Sequence, residues 1–250
     1  MKKNKIVIVM PAYNAEKTIE KTYYDIPKTL RDSARIILVD DKSSDKTVSI
    51  ARKLGLEVIR HHRNLGYGAN QKTCYKHALK LKPDIVVMIH PDYQYDSSLT
   101  EELIRPLQDG WLHIMLGNRI RSRIEALEGG MPLYKYLGNR FLTFIENIIL
   151  GLNLAEYHTG FRAYQSKVLK SLPLEKFSDD FVFDQEILIA ATHAGYRIGE
   201  IPVPVRYFAE ASSIDFAQSL VYGIMTVITL FKYVMHRLGI YPFPMFKHHD

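Results

Sequence analysis

The 250-residue chain has one cysteine, Cys74, and one tryptophan, Trp111. A single thiol excludes an intrachain disulfide framework and suits a reducing compartment. Internal repeats, low-complexity tracts and Ser/Gly-rich linkers are absent, which excludes solenoids, fibrous chains and domains strung on flexible linkers. The apolar run near the start, residues 6–10 behind a basic pentapeptide, is too short for a signal peptide. The uncharged stretch 216–231 falls short of the ~20 residues that span a bilayer. Net charge is +6 and favours anionic partners. No nucleic-acid motif or interleaved basic–aromatic patch accompanies that charge, so nucleic acid is not expected as a partner. Hydrophobic residues at 47% and charged residues at 24% are ordinary for one globular α/β domain with a short appendage.

The first ninety residues alternate between two periodicities. Residues 6–10, 35–39, 57–61 and 85–89 read as four short strands; the first is a β-branched run with no polar face, as expected of a strand buried on both sides, and the fourth is the most apolar. Between them lie helical patterns. One is capped by Asn14 and carries Ile19, Tyr23 and Ile26; another is capped by Ser44 or Asp45 and stopped by Gly55. A third runs from the loop 64–68 to Leu81. Strand and helix alternating four times predict a parallel sheet with right-handed crossovers. Beyond it the pattern predicts a helix near 99–107, a strand at 113–116, a mobile loop over 120–131, a strand near 161–165 and a helix near 184–193. Two amphipathic helices complete the reading, over 133–149 and 216–235.

In open parallel sheets, ligands bind beyond the carboxyl ends of the strands. Three such ends carry chemistry here: Pro11-Ala-Tyr-Asn14, Asp40-Asp41 and His90-Pro-Asp-Tyr-Gln94. In an extended segment alternate residues share a face, so His90, Asp92 and Gln94 are expected to face one site. A hard cation, Mg²⁺ or Mn²⁺, takes one or two carboxylates and completes its shell with water and phosphate oxygens. An Asp after a buried strand also serves as a turn former or helix cap, and Asp40-Asp41 also suits a plain loop.

These segments, with Val39-Asp-Asp-Lys-Ser-Ser-Asp-Lys-Thr47, Asn64-Leu-Gly66 and Gly117-Asn-Arg119 in order, resemble the family-two inverting glycosyltransferases. His158-Thr-Gly-Phe-Arg-Ala-Tyr164 and Gly199-Glu-Ile-Pro-Val203 are similar to the branch of dolichyl- and polyprenyl-phosphate mannose or glucose synthases. The resemblance covers roughly residues 5–210. It implies a GT-A fold, a Rossmann-like, mostly parallel α/β sheet with helices on both faces, over residues 1–210. A C-terminal amphipathic helical extension follows over 211–250. It also implies a nucleotide-sugar donor, of GDP-mannose or UDP-glucose type, bound by Pro11, Tyr13, Glu16, Asp40, Asp41, Asn64 and His90. Asp92 is implied to hold the metal with Gln94 and His90, where His90 stands in place of the family's usual acid. Arg119 matches an acceptor-phosphate arginine. Lys135 and Asn139 fall where the family has an arginine and a serine one helical turn apart, and Arg162, which shapes the acceptor floor, completes the implied acceptor-phosphate set of Arg119, Lys135, Asn139 and Arg162. Glu156 occupies a position that is usually acidic. Catalysis is expected from Asp92 and Arg119, with Asp184 as the base if the acceptor is a hydroxyl.

A phosphate nucleophile is already anionic and needs cationic clamps more than a base. The helical stripes at 133–149 and 216–235 suit a helix pair lying in the membrane interface beside a lipid acceptor. They equally suit core packing or the seam of a homo-oligomer. The expected setting is the cytoplasm, peripheral on the cytoplasmic membrane face. The alternatives are a transferase acting on a saccharide or lipid hydroxyl, and a non-catalytic nucleotide-sugar-binding protein.

Overall fold

The computed structural model describes residues 4–206 and 216–247. Strands β1 (Ile6–Ala12), β2 (Arg35–Asp40), β3 (Glu57–Arg60) and β4 (Ile85–Met88) alternate with helices α1 (Ile19–Asp25), α2 (Lys28–Ser33), α3 (Thr47–Lys53) and α4 (Tyr67–Lys80). Then come α5 (Thr100–Gln108), β5 (Ile114–Asn118), α6 (Arg123–Glu128), α7 (Leu133–Leu150), β6 (Arg162–Gln165) and α8 (Ser166–Ser171). The chain ends with α9 (Phe183–His193), β7 (Ile198–Pro202) and α10 (Phe216–Arg237).

The seven strands form one sheet in the order β3-β2-β1-β4-β6-β5-β7. All neighbours are parallel except β6, which runs antiparallel to both β4 and β5. Alternation along the strands divides the core. Val7, Val9, Ile37, Val39, Val86 and Met88 face one side with Cys74 and Tyr75 of α4 and Ile187 of α9. Ile6, Ile8, Met10, Leu38 and Val87 face the other, with Ile19 of α1, Ala51 of α3 and Leu103 of α5. Both faces are covered, as the near-continuous apolar strands require. The mostly parallel sheet is thus as expected.

Two local readings are corrected. Asn14 does not cap α1, which begins at Ile19 without a side-chain cap. With φ at 50°, Asn14 instead accepts from Ser44 N (2.9 Å). The expected loop 120–131 contains α6, because Ser122 accepts from Glu125 N (3.1 Å) as in a capping box. Residues 198–202 form the edge strand β7, and 166–171 form α8; neither was anticipated.

Helix α10 packs on α7 and α9. Its Thr226, Thr229, Leu230 and Tyr233 are buried, and Leu230 and Tyr233 join the core beside α9. By length and composition it could cross a membrane, but that inner face is occupied by protein. The outer faces of the pair are bare: Leu137, Phe144 and Ile148 of α7, and Val221 and Phe231 of α10, are exposed. The expected boundary at 210–211 lies outside the described residues.

Candidate active site

Strand order reverses at β1, with β2 and β3 on one side and β4 on the other, and the crevice beyond that reversal is where open α/β sheets bind ligands. Its rim is cross-tied. Asn14 N donates to Ser43 Oγ (2.8 Å), Ala15 N to Thr47 Oγ1 (2.7 Å) and Glu16 N to Asp45 Oδ2 (3.0 Å). In return Lys46 N donates to Glu16 Oε2 (2.9 Å). Pro11 is buried at the strand exit, whereas Tyr13 is exposed beside it.

Asp40 is a correction. Expected beside the base, it is fully buried and accepts from Ser43 N (3.2 Å) and Arg60 Nε (3.1 Å), so it braces the loop instead of meeting a ligand. Asp41 accepts from His61 Nδ1 (2.7 Å), Leu65 N (2.8 Å) and Gly66 N (3.0 Å). It therefore fixes the loop that carries Asn64, whose Oδ1 also accepts from Gly66 N (3.1 Å). Gly68 lets this loop touch the chain at 178–180. A Cβ there would lie 2.6 Å from Ser178 O.

The exit of β4 is not extended. Tyr93 has φ at 60°, and the segment turns, so the alternation argument for His90, Asp92 and Gln94 fails. His90 is corrected out of the metal set. Its ring stacks on Tyr67 (centroids 5.5 Å apart), with Nε2 3.3 Å from the Tyr67 hydroxyl. Gly160 makes room for it, since a Cβ there would sit 2.7 Å from Cδ2. Burial pushes its imidazole down to about 4, against the pull of the Asp184 carboxylate, so it is neutral at physiological pH. Asp92 accepts from Gln94 N (3.0 Å) in a tight turn. Burial pushes its carboxyl up to about 6, only partly offset by two backbone N–H groups and the Arg119 charge. No cluster of three or more His, Cys, Asp or Glu suited to an ion occurs among the described residues. Asp92 with the Gln94 amide nonetheless fits a hard cation that draws its other ligands from a diphosphate and water: an under-compensated carboxylate is what such an ion neutralises.

A cavity of about 610 Å³ adjoins this turn. Its floor carries Arg119, Asp184, Gln94 and Thr159, Lys135 stands on its wall, and Phe141, Leu220, Ile224 and Ile228 form an apolar roof. Arg119 donates from Nε to the fully buried Glu156 (2.8 Å) and from its backbone N to Glu156 Oε2 (2.7 Å). Burial opposes ionisation of Glu156, but the Arg119 guanidinium and its bonds hold that carboxyl below its ordinary value. Asp184, in the first turn of α9, accepts from the Tyr67 hydroxyl (2.8 Å) and Gln71 Nε2 (3.0 Å).

Two expected phosphate contacts are corrected. Arg162 is fully buried; it donates to the carbonyls of Thr159, Tyr157 (2.9 Å) and Asp184 (2.8 Å), and so holds the floor together from below. Asn139 lines the cavity, but its amide donates to Glu156 Oε1 (2.9 Å) and its carbonyl accepts from Thr143 (3.3 Å). It positions the Arg119 partner and is not aimed at a phosphate. Sequence reasoning missed Tyr67, Gln71 and the hub at His158. The one available signal was a lone acid, Glu146, in the apolar helix α7.

Residues 7–172 match the model of glycosyl transferase family 2, and the chain belongs to that family. It is 30% identical over 219 residues to a UDP-N-acetylglucosamine–dolichyl-phosphate N-acetylglucosaminyltransferase of Methanococcus voltae, covering 81% of this chain and 86% of that one. A dolichyl-phosphate hexose transferase of Haloferax volcanii is 29% identical over 212 residues, 84% of this chain and 86% of its relative. Among solved structures, glucosyl-3-phosphoglycerate synthase from Mycobacterium tuberculosis with phosphoglyceric acid superposes with a TM-score of 0.71 at 21% identity. That match covers 99% of this chain and 86% of the other. The protein is a glycosyltransferase with a GT-A-like fold.

Proposed function

We propose that this glycosyltransferase moves a sugar, with inversion, from a nucleotide-sugar donor to a polyprenyl or dolichyl phosphate. The carrying observation is the shape of the cavity: Arg119 on the floor, Lys135 on the wall, and a roof of apolar side chains from α7 and α10. That is the complement of an amphiphile with an anionic head. The archaeal relatives named for dolichyl phosphate support the acceptor. The donor lies in the crevice rimmed by Pro11, Tyr13, Glu16, Asp41 and Asn64, with its diphosphate directed to Asp92.

Asp92 and Gln94 hold a divalent cation, Mg²⁺ or Mn²⁺, which when bound neutralises charge on the departing nucleotide diphosphate. Solved neighbours crystallised with Mn²⁺ or Mg²⁺ and UDP accord with this. Arg119 orients the acceptor phosphate and Lys135 adds a second positive charge. Lysine keeps the charge but lacks the bidentate fork of arginine. The bare outer faces of α7 and α10 rest in the membrane interface, peripheral and cytoplasmic, and deliver the lipid into the cavity without exposing it to water.

The test is transfer of radiolabelled sugar from UDP-N-acetylglucosamine, UDP-glucose or GDP-mannose to dolichyl phosphate in vesicles, with and without Mn²⁺. Formation of a lipid-phosphate sugar is the expected result. Transfer only to dolichol or a free saccharide would make the acceptor a hydroxyl and Asp184 its base. Donor binding with no hydrolysis or transfer under any condition would reduce the protein to a nucleotide-sugar-binding module.

A further inference from the structure

Beneath the apolar outer face of α7 lies a carboxylate for which sugar transfer has no use. Glu146 is the only acid in the helix and is fully buried. Neither of its oxygens accepts a hydrogen bond, yet His158 Nε2 lies 3.2 Å from Oε2. The other ring nitrogen, Nδ1, lies 2.7 Å from the Tyr222 hydroxyl on α10. Gln185 Nε2 on α9 donates to that same hydroxyl (2.6 Å). The backbone carbonyl of His158 accepts from the Arg119 guanidinium. One residue, His158, therefore touches α7, α9 and α10 through its ring and the arginine on the cavity floor through its carbonyl.

The donor and acceptor inventory gives the chain a direction. Gln185 Nε2 also faces the carbonyl of Tyr157 (3.2 Å), an acceptor only, so this end of the amide is the NH₂. The same nitrogen lies 2.9 Å from His158 Nδ1, and a proton on Nδ1 would set one N–H against another. Nδ1 is therefore the bare, accepting nitrogen, and the imidazole proton sits on Nε2, the ring nitrogen 3.2 Å from Glu146 Oε2. Tyr222 takes an N–H from Gln185 on its oxygen and gives its O–H to Nδ1. A carboxylate buried among apolar groups is costly unless an opposing charge or donor meets it. The proton on Nε2 puts positive partial charge beside Glu146 without forming a hydrogen bond to it.

We propose that Glu146, His158 and Tyr222 form a directional latch that hangs the roof helix α10 on the active-site floor and so sets the width of the acceptor cavity. They act as positioning residues. Glu146 fixes the imidazole tautomer, and His158 transmits it to Tyr222 on the roof and, through its carbonyl, to Arg119 on the floor. The inference rests on the lipid-phosphate reading only for the identity of the molecule in the cavity.

The experiment uses the full chain with Glu146→Ala, Glu146→Gln and Tyr222→Phe. The first readout needs no substrate. Nitrogen-15 NMR is expected to find His158 protonated at Nε2 and bare at Nδ1. Amide hydrogen exchange over residues 216–231 should rise at least tenfold in E146A and Y222F, with β1 and α4 unchanged. E146Q, which keeps the side-chain shape and a polar oxygen beside Nε2–H, should stay within threefold of the unaltered protein. A proton on Nδ1, or Y222F exchanging like the unaltered protein, overturns the latch.

The second readout uses dolichyl phosphate as probe. E146A should raise the KM for the lipid at least tenfold and leave lipid-free hydrolysis of the nucleotide sugar unchanged, with E146Q near the unaltered value. Equal loss of both activities in E146A would overturn the positioning role. If the unaltered enzyme transfers nothing to dolichyl phosphate, the acceptor reading fails, and the NMR and exchange results still decide the latch.

Discussion

The donor half and the acceptor half of this molecule use polar groups in opposite ways. Around the crevice, side chains at the exits of β1 and β2 bind one another's backbones across about thirty residues of sequence. Even the paired acids Asp40 and Asp41 are committed to holding loops. Around the cavity, polar groups gather into compact clusters, Arg119–Glu156–Asn139, Asp184–Tyr67–Gln71 and His158–Tyr222–Gln185, while the outer helix faces stay apolar and exposed. A nucleotide is water-soluble and polar throughout, and a rigid cradle of preset donors suits it. A lipid phosphate needs a charged point reached through an apolar corridor. On the proposed function, the difference in polarity follows the difference between the two ligands.

The comparison breaks first at Asp92. Asp92→Ala is expected to lower transfer by roughly 10³-fold, because charge developing on the leaving diphosphate loses its neutralising ion. Cation dependence should vanish with it, while circular dichroism stays unchanged. Single-turnover rates across a Mn²⁺ titration check this. Arg119→Ala probes the other half. It should reduce transfer to dolichyl phosphate by roughly 10²-fold and destabilise the fold by ~3 kcal/mol, because Glu156 is left buried without its partner. Denaturant unfolding beside acceptor kinetics measures both losses. A drop in activity without a drop in stability would mean that Glu156 finds another cation.

Much of the donor half was legible because strand burial, loop chemistry and motif order agree there. Parallel strands at 6–12, 35–40, 57–60 and 85–88 leave a strong signal, and their exits carry the acids. The position of Asp92 followed; the aim of His90 did not. One residue with positive φ, Tyr93, turned the segment; Pro91-Asp92 carries turn chemistry, but the alternation of an extended strand reads straight across it. In the acceptor half, periodicity found α7 and α10 but could not separate a core stripe from a bare one. Phe144 on α7 and Leu230 on α10 look alike in sequence, yet one is 63% exposed and the other 1%. The roles of Arg162 and Asn139 were equally hidden, since an internal brace and a phosphate clamp use the same donors. The antiparallel insertion of β6 between β4 and β5 is a long-range choice that no local pattern records.

The bare helix faces sharpen the contrast from the outside. Phe144 and Ile148 lie on the outer side of α7 and do not line the cavity. The double variant Phe144→Glu/Ile148→Glu should weaken binding to anionic lipid vesicles by about a hundredfold or more, given ~1.5–3 kcal/mol for each large apolar side chain withdrawn from a nonpolar environment. Hydrolysis of a soluble nucleotide sugar should be unaffected. Vesicle cosedimentation measures the first quantity and a lipid-free assay the second. Unchanged vesicle binding, accompanied by a shift to a smaller oligomer, would assign the surface to a second copy of the chain.

The smallest expected effect is also the most discriminating, because Asp184 belongs to both halves. Its oxygens accept from Tyr67 and Gln71 of α4, near the donor crevice, while its side chain lines the acceptor cavity. A phosphate acceptor arrives already ionised, so no proton has to be removed, and the carboxylate serves to fix Tyr67 and the floor. A hydroxyl acceptor would need that carboxylate as its base, and losing such a base costs roughly 10²–10⁴ in rate. Asp184→Asn keeps the shape but turns one acceptor into a donor, leaving Tyr67 or Gln71 facing an N–H. It should therefore lower stability by about 1–3 kcal/mol while reducing single-turnover transfer to dolichyl phosphate by less than about tenfold, well below the cost of a lost base. A fall of roughly a thousandfold, with lipid affinity unaltered, would give Asp184 the proton and move the acceptor from phosphate to hydroxyl. Arg119 would then steer the substrate by charge alone, and the amphiphilic cavity would have to admit a neutral head group beside a buried ion pair.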